Sequence, residues 1–160
     1  MASSKYVIPF ESLRKTDVSL VGGKNANLGE LISIGIPVPP GFAITAEAYK
    51  LHIEENKLAP KIYDLLSKVD VLDSASLEST SSEIRKLIES AELPDLLKSE
   101  ITRAYKELGE KLGRKNPMVA VRSSATAEDL PSASFAGQQD TFLFVEGEDV
   151  LLKYVKKCFS

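Results

Sequence analysis

Cysteine, histidine and tryptophan are nearly absent from this chain. Its 160 residues include one cysteine, Cys158, one histidine, His52, and no tryptophan. A single cysteine excludes a disulfide bond within the chain, and these two side chains are too few for the Cys/His clusters that bind structural zinc. Because disulfides are typical of oxidising compartments, the composition favours a reducing, cytoplasmic setting.

Long hydrophobic runs and an excess of one charge are also lacking. The longest apolar stretches are far shorter than the roughly 20 residues that span a bilayer, and the first residues show no signal-peptide pattern. With 20 basic and 23 acidic residues the net charge is −3, so nothing points to a nucleic-acid or membrane partner. We therefore expect one globular domain, in which any anion site is built locally from a few cationic groups.

The sequence pattern predicts an α+β fold in which short strands flank a helix-rich middle. Strand signals occur at residues 6–10, 42–44, 118–121 and 141–145. Helical patterns occur from residue 24 towards Gly35, from Thr45 to about Asn56, over most of 58–112, and from Glu148 onwards. No internal repeat is present, and we expect the short strands to be mostly antiparallel.

Local signals predict where several helices begin and end. Gly35 is expected to end the first helix, and Thr45 to cap the second. Residues 80–83 fit a capping box, and Pro94 suits the first turn of a later helix.

The spacing of apolar residues predicts which faces are buried. Residues 118–121 are expected to form a buried strand. The first helix is expected to bury Ala26, Leu28, Leu31, Ile32 and Ile34. A later helix, which Gly109 or Gly113 is expected to end, should bury Leu97, Ile101, Ala104, Tyr105 and Leu108.

The first segment that suggests chemistry is Val21–Leu28, with the sequence VGGKNANL. Two glycines before a helix allow the backbone to approach an anion, and the helix N-terminus adds partial positive charge. Lys24 could bind a phosphate. The segment is not a Walker A loop, because Val18 and Asn25 stand where that motif needs glycine and serine or threonine. A glycine turn with a solvated lysine is the alternative interpretation.

The second segment begins at the end of a predicted strand, where Arg122 is followed by Ser123, Ser124 and Ala125. An arginine on a rigid strand presents a planar fork that suits phosphate oxygens. Further on, Gly137 permits a ligand to approach the main chain. An ordinary surface charge or salt bridge is the alternative interpretation of this arginine.

Other side chains have simpler explanations. We expect His52 to be a solvated surface histidine and Cys158 to be inert. The acidic residues at 146, 148 and 149 are expected to form a charged turn and helix start rather than a metal site. Glu128 and Asp129 are of more interest, because they follow the Arg122 segment.

Three stretches in one order resemble the nucleotide-binding region of the family that includes phosphoenolpyruvate synthase, pyruvate phosphate dikinase and rifampin phosphotransferase. The stretches are 21–31 (VGGKNANLGEL), 35–42 (GIPVPPGF) and 121–141, which contains VRSSATAEDLP and FAGQQDT. Together they span nearly the whole chain. The resemblance implies a fold similar to the first subdomain of an ATP-grasp domain, with residues 1–160 forming only part of that domain.

The resemblance also implies a site. Lys24 and Arg122 would contact ATP phosphates, and Gly137 and Thr141 would add backbone or hydroxyl contacts. The family's Mg²⁺ ligands and its phosphorylated histidine would lie beyond residue 160, so no catalytic or metal-binding residue is expected here. His52 does not match that histidine.

The arginine-serine-serine and glycine-glutamine-glutamine forms are similar to the pyruvate, water dikinase branch or to the rifampin enzyme. The leading expectation is an N-terminal fragment, inactive alone, of an enzyme that converts ATP, pyruvate and water to phosphoenolpyruvate, AMP and phosphate through a phosphohistidine. A fragment of an antibiotic phosphotransferase and a non-catalytic nucleotide-binding module are the alternatives.

Overall fold

Helices account for most of the structure, and the strands are short. The computed structural model describes residues 4–126 and 140–160. The helices are α1 (Val18–Ser33), α2 (Ala46–Glu55), α3 (Ala59–Lys68), α4 (Ser74–Ser90), α5 (Asp95–Leu112) and α6 (Glu148–Phe159). The strands are β1 (Val7–Pro9), β2 (Phe42–Ile44), β3 (Val119–Arg122) and β4 (Thr141–Val145). Two short 3-10 turns, Phe10–Ser12 and Lys15–Asp17, connect β1 to α1.

The described strands form two antiparallel pairs, as the sequence predicted. In the first pair, β1 lies beside β2, with Ile8 opposite Ala43. In the second pair, β3 lies beside β4, with Arg122 opposite Thr141. The predicted fold class, helix-rich with short antiparallel strands, is confirmed. None of the helices in the described ranges has both the length and the hydrophobicity that a membrane span needs.

Two hydrophobic clusters of buried side chains hold most of these elements together. The larger cluster is built on α5, α6 and the β3–β4 pair, and Val7 of β1 and Ala48 of α2 also belong to it. Its buried members include Leu97, Ile101, Ala104, Tyr105, Val145, Leu151 and Val155. The smaller cluster joins α1 to the β1–β2 pair. Its buried members are Ile8, Leu13, Val21, Ala26 and Ala43.

Tyr105 connects α5 to the end of the β3–β4 pair at which Val119 lies opposite Val145. Its ring is 1% exposed, and its hydroxyl donates to the carbonyl of Pro117 at 2.7 Å. The same oxygen accepts from the backbone N–H of Gly147 at 2.9 Å. Pro117 precedes β3 and Gly147 follows β4, so one buried side chain anchors both strands at the same end of the antiparallel pair.

Several predicted helix ends are confirmed. Gly35 follows α1 with φ +82°, and its N–H donates to the carbonyl of Ile32. Thr45 caps α2 by accepting from the N–H of Ala48 at 3.3 Å. The predicted buried stripe of α5 is confirmed at every position, and Gly113 ends that helix in the left-handed conformation.

Other local predictions were wrong. Residues 80–83 lie inside α4 rather than at its start, because Asp73 caps a single continuous helix. Met118 is 53% exposed and β3 is only half-buried, since one face of the two-stranded pair is open. Ile34 is 65% exposed, because it lies at the C-cap of α1 beyond the face that packs.

His52 was predicted at the surface but is fully buried. Its Nε2 donates to the carbonyl of Ile88 at 3.1 Å, and its Nδ1 lies 3.4 Å from the side-chain nitrogen of Asn56. The ring also packs against Phe159. Helices α4 and α6 cover this face of α2, which the sequence of α2 alone did not reveal.

We expect Tyr105→Phe to lower the free energy of unfolding by about 1–3 kcal/mol, because it leaves a buried carbonyl and a buried N–H without their partner. Tyr63→Phe is the control, since Tyr63 is 71% exposed. Urea denaturation of both variants provides the measurement. Equal stabilities would show that the buried hydroxyl does not hold the strand pair.

We expect the stability of the chain to fall as the pH drops below the ordinary histidine value of 6.5. Burial lowers the pKa of His52, the hydrogen bond to Ile88 opposes this shift, and Lys156 adds to it. The unfolded chain therefore binds a proton first, which costs at most about 1.4 kcal/mol per pH unit. Urea unfolding between about pH 7 and pH 5.5 should show a steeper pH dependence for the wild type than for His52→Gln. Identical slopes would contradict the prediction.

Candidate functional site

Helix α1 is broken near its start at Gly22. This residue has φ +79° and ψ 162°, which is not helical and favours glycine. Gly23 therefore begins a second helical segment that carries Lys24 in its first turn. The side-chain nitrogen of Asn25 donates to the carbonyl of Val21 at 2.8 Å, so the break is bridged by a hydrogen bond.

The break brings the two predicted chemical segments into direct contact. A Cβ atom on Gly22 would lie 2.2 Å from the Oγ of Ser124 and 2.7 Å from its carbonyl oxygen. The N–H of Gly23 donates to the carbonyl of Ala125 at 3.4 Å. Two segments that are far apart in the sequence therefore meet backbone to backbone.

The open face of the β3–β4 pair carries two of the predicted site residues. Val119 and Val121 pack against the larger cluster, whereas Arg122 is exposed. Thr141 is the cross-strand partner of Arg122 and is also exposed. Directly opposed residues share one face of a sheet, so the guanidinium and the hydroxyl belong to the same surface.

The hydrogen bonding of the strand pair continues past Arg122. The backbone N–H of Ser123 donates to the carbonyl of Asp140 at 3.1 Å, and its hydroxyl lies 3.4 Å from the same oxygen. This bond extends the ladder to the point at which Ser124 and Ala125 turn towards α1. The segment after Arg122 is therefore hydrogen-bonded to Asp140 through Ser123 and to Gly23 of α1 through Ala125.

The structure thus brings together the segments of Lys24, Arg122 and Thr141. Lys24 is half-buried and follows directly after the glycine that contacts the second segment. Gly137, with Glu128 and Asp129, lies outside the described residues.

Ser124 is the residue whose importance the sequence did not reveal. Its hydroxyl is buried and has no hydrogen-bond partner among the described residues. The sequence marked it only as one of several small polar residues, and no spacing rule predicts that it meets Gly22. The sequence predicted that the two glycines let the backbone approach an anion. In the structure Gly22 instead lies against Ser124, and the N–H of Gly23 donates to the carbonyl of Ala125.

The remaining candidate residues carry little chemistry. Burial raises the pKa of the Cys158 thiol to about 11, and the charge of Asp140 adds to this effect. A thiol with so high a pKa is protonated at neutral pH and is a poor nucleophile. Within residues 4–126 and 140–160, no group of three or more His, Cys, Asp or Glu side chains could hold a metal ion.

The arrangement is suited to binding an anion rather than to making or breaking a bond. A lysine in the first turn of a helical segment and an arginine on a rigid strand belong to two backbones that touch. Both side chains carry a positive charge, which is the charge that attracts an anion such as phosphate.

Comparison with known proteins gives a family and a set of relatives. Residues 18–160 match the family described as pyruvate phosphate dikinase, AMP/ATP-binding domain. The chain is 52% identical over 158 residues to a probable phosphoenolpyruvate synthase of Staphylothermus marinus, covering 98% of this chain and 19% of that protein. It is 48% identical over 160 residues to the phosphoenolpyruvate synthase of Helicobacter pylori, covering 98% of this chain and 20% of that protein.

A third relative is the probable phosphoenolpyruvate synthase of Methanocaldococcus jannaschii. It is 51% identical over 158 residues, which cover 99% of this chain and 13% of that protein. The chain therefore spans about a fifth or less of the length of these curated relatives. Because the family match covers most of the chain, we conclude that this chain belongs to the family of the pyruvate phosphate dikinase AMP/ATP-binding domain.

Proposed function

We propose that this chain is the N-terminal part of the ATP-binding domain of a phosphoenolpyruvate synthase. The whole enzyme would convert ATP, pyruvate and water to phosphoenolpyruvate, AMP and phosphate through a phosphohistidine. The family match and the names of the three relatives support this branch over an antibiotic phosphotransferase. We also propose that residues 1–160 are one part of an ATP-grasp-like domain in a cytoplasmic enzyme.

One observation carries the assignment of the site: the contact of Gly22 and Gly23 with Ser124 and Ala125. This contact makes neighbours of the segments that carry Lys24 and Arg122. In our proposal Lys24 and Arg122 bind the phosphates of ATP, and Thr141 and Gly137 add contacts from the same side. Binding of this kind is electrostatic, which is the main contribution of a protein to phosphoryl transfer.

The described residues fit a phosphate better than they fit a metal ion. Mg²⁺ prefers carboxylate oxygens, and the described ranges do not cluster three potential ligands. We propose that Mg²⁺ is held by residues of the larger enzyme. The phosphorylated histidine is also assigned there, since the single histidine of this chain is buried against Ile88 and Phe159.

The proposal implies that this chain alone has little or no turnover. The gene should continue past Ser160 into the second half of the ATP-binding domain and a domain with the phosphorylated histidine. Sequencing the gene tests this directly. A natural stop codon after residue 160 would favour a stand-alone nucleotide-binding module instead.

For the site, we expect Arg122→Ala in the full-length protein to lower kcat/KM for ATP by about tenfold to a hundredfold. This range corresponds to the loss of one hydrogen-bonded charge pair, about 1.5–3 kcal/mol. Arg122→Lys keeps the charge but loses the planar fork, so its loss should be intermediate. Steady-state kinetics with varied ATP provides the measurement.

Arg85→Ala is the matched control, because Arg85 is an exposed arginine on α4. It should leave kcat/KM unchanged. If Arg122→Ala behaves like this control, Arg122 does not bind ATP and the site assignment is wrong.

A further inference from the structure

The contact between Gly22 and Ser124 does more than place two segments side by side. We propose that Gly22 and Ser124 are positioning residues for the ATP site: their close contact sets the spacing between Lys24 and Arg122. The inference rests on the proposed function and deepens it. Neither residue needs to touch the nucleotide, because each acts by fixing the backbone that carries a phosphate-binding side chain.

The two halves of the site belong to two packing units that share the β1–β2 pair. Helix α1 packs on the two 3-10 turns, on β2 and on α2, and its buried side chains lie in the smaller cluster. The β3–β4 pair packs on α6, and its buried side chains lie in the larger cluster. Val7 of β1 belongs to the larger cluster and Ile8 to the smaller one, so packing through β1 joins the two units, and a direct contact at the site itself adds to this placement.

Gly22 and Ser124 supply that contact, together with the hydrogen bond from Gly23 to Ala125. The space beside the Cα of Gly22 is filled by Ser124, whose carbonyl carbon would lie 2.8 Å from a Cβ atom there. Real Cβ atoms do not approach backbone so closely, so any side chain at position 22 must push the two segments apart. The backbone of Ser124 cannot yield as the end of a flexible side chain would.

Such a displacement would move the backbone that carries Lys24 and Arg122. Lys24 lies two positions after Gly22 on the segment of α1 that begins at the break. Arg122 lies two positions before Ser124, on a strand whose ladder continues through Ser123 to Asp140. Widening the contact therefore changes the span across which the two side chains must bind one polyphosphate.

The buried hydroxyl of Ser124 indicates that size, rather than hydrogen bonding, is what this position requires. The hydroxyl has no partner among the described residues, and an unsatisfied buried hydroxyl lowers stability. Removing it should therefore do no harm to the fold. A larger side chain at position 124, by contrast, should push the same two segments apart, as a side chain at position 22 would.

The test measures the dissociation constant of ATP by calorimetric titration of the full-length protein. We expect Gly22→Ala and Ser124→Val each to raise it by about tenfold or more, since misplacing binding groups by about 1 Å is costly. Ser124→Ala should stay within about twofold of the wild type, because coupling below about 0.5 kcal/mol is not resolved. Ser124→Val provides the test if Gly22→Ala fails to fold.

Gly35→Ala is the matched control for backbone strain. Gly35 lies just after the same helix and has φ +82°, and a Cβ atom added to it would meet nothing within 4 Å. It shares the positive φ of Gly22 but not the contact. An affinity loss at Gly22 that Gly35→Ala also produces would assign the effect to strain and overturn the inference.

A double-mutant cycle separates positioning from a general structural effect. If Gly22 acts by placing Lys24, Gly22→Ala should cost much less ATP affinity in a Lys24→Ala background than in the wild type. An equal cost in both backgrounds would overturn the inference, as would wild-type affinity in folded Gly22→Ala. A loss of affinity in Ser124→Ala would also overturn it, because the hydroxyl would then contact the ligand itself.

Failure of the proposed function gives a different result. In that case Lys24→Ala and Arg122→Ala would bind ATP as the wild type does, or the wild type would not bind ATP. If these two variants lose affinity while Gly22→Ala does not, the ATP site stands and only the positioning role is wrong.

Discussion

The two hydrogen bonds of the Tyr105 hydroxyl are the interactions on which the candidate site depends most. The hydroxyl donates to the carbonyl that precedes β3 and accepts from the N–H that follows β4. A two-stranded pair is marginal by itself, and it needs packing or anchoring to hold one position. Because both strands are bonded at one end to the same buried atom of α5, the strand that carries Arg122 at its other end is anchored to the long helix.

The helix in turn holds Tyr105 through an apolar stripe that runs along one side of it. Leu97, Ile101 and Leu108 are each almost fully buried. The Tyr105 ring therefore has little freedom, and its polar end is directed at the backbone of the strand pair. A residue in the featureless middle of the sequence thus supports a site whose motifs lie at the two ends of the chain.

The candidate site lies where two hydrophobic packing units meet, and the β1–β2 pair contributes to both of them. The lysine belongs to the unit around α1, and the arginine belongs to the unit around α5 and α6. Such a seam is a common place for ligands, because cationic groups can converge there without being buried in either core. The backbone contact between Gly22 and Ser124 crosses this seam, beside the segments that carry Lys24 and Arg122.

The sequence by itself determined most of the local structure. The stripe of α5, the cap at Thr45, the helix stop at Gly35 and the short strands follow from periodicity and from residue-specific backbone preferences, which are properties of neighbouring residues. The three motifs also predicted the family, because their order along the chain is specific.

Only the tertiary structure decided the rest. Burial of His52 depends on helices α4 and α6, which no pattern in α2 encodes. The half-open face of β3 follows from the number of strands that pair, and the meeting of Gly22 with Ser124 follows from how two cores are placed. Local preferences act over a few residues, whereas these features depend on contacts between distant parts of the chain, and for that reason they had to be seen in the folded molecule.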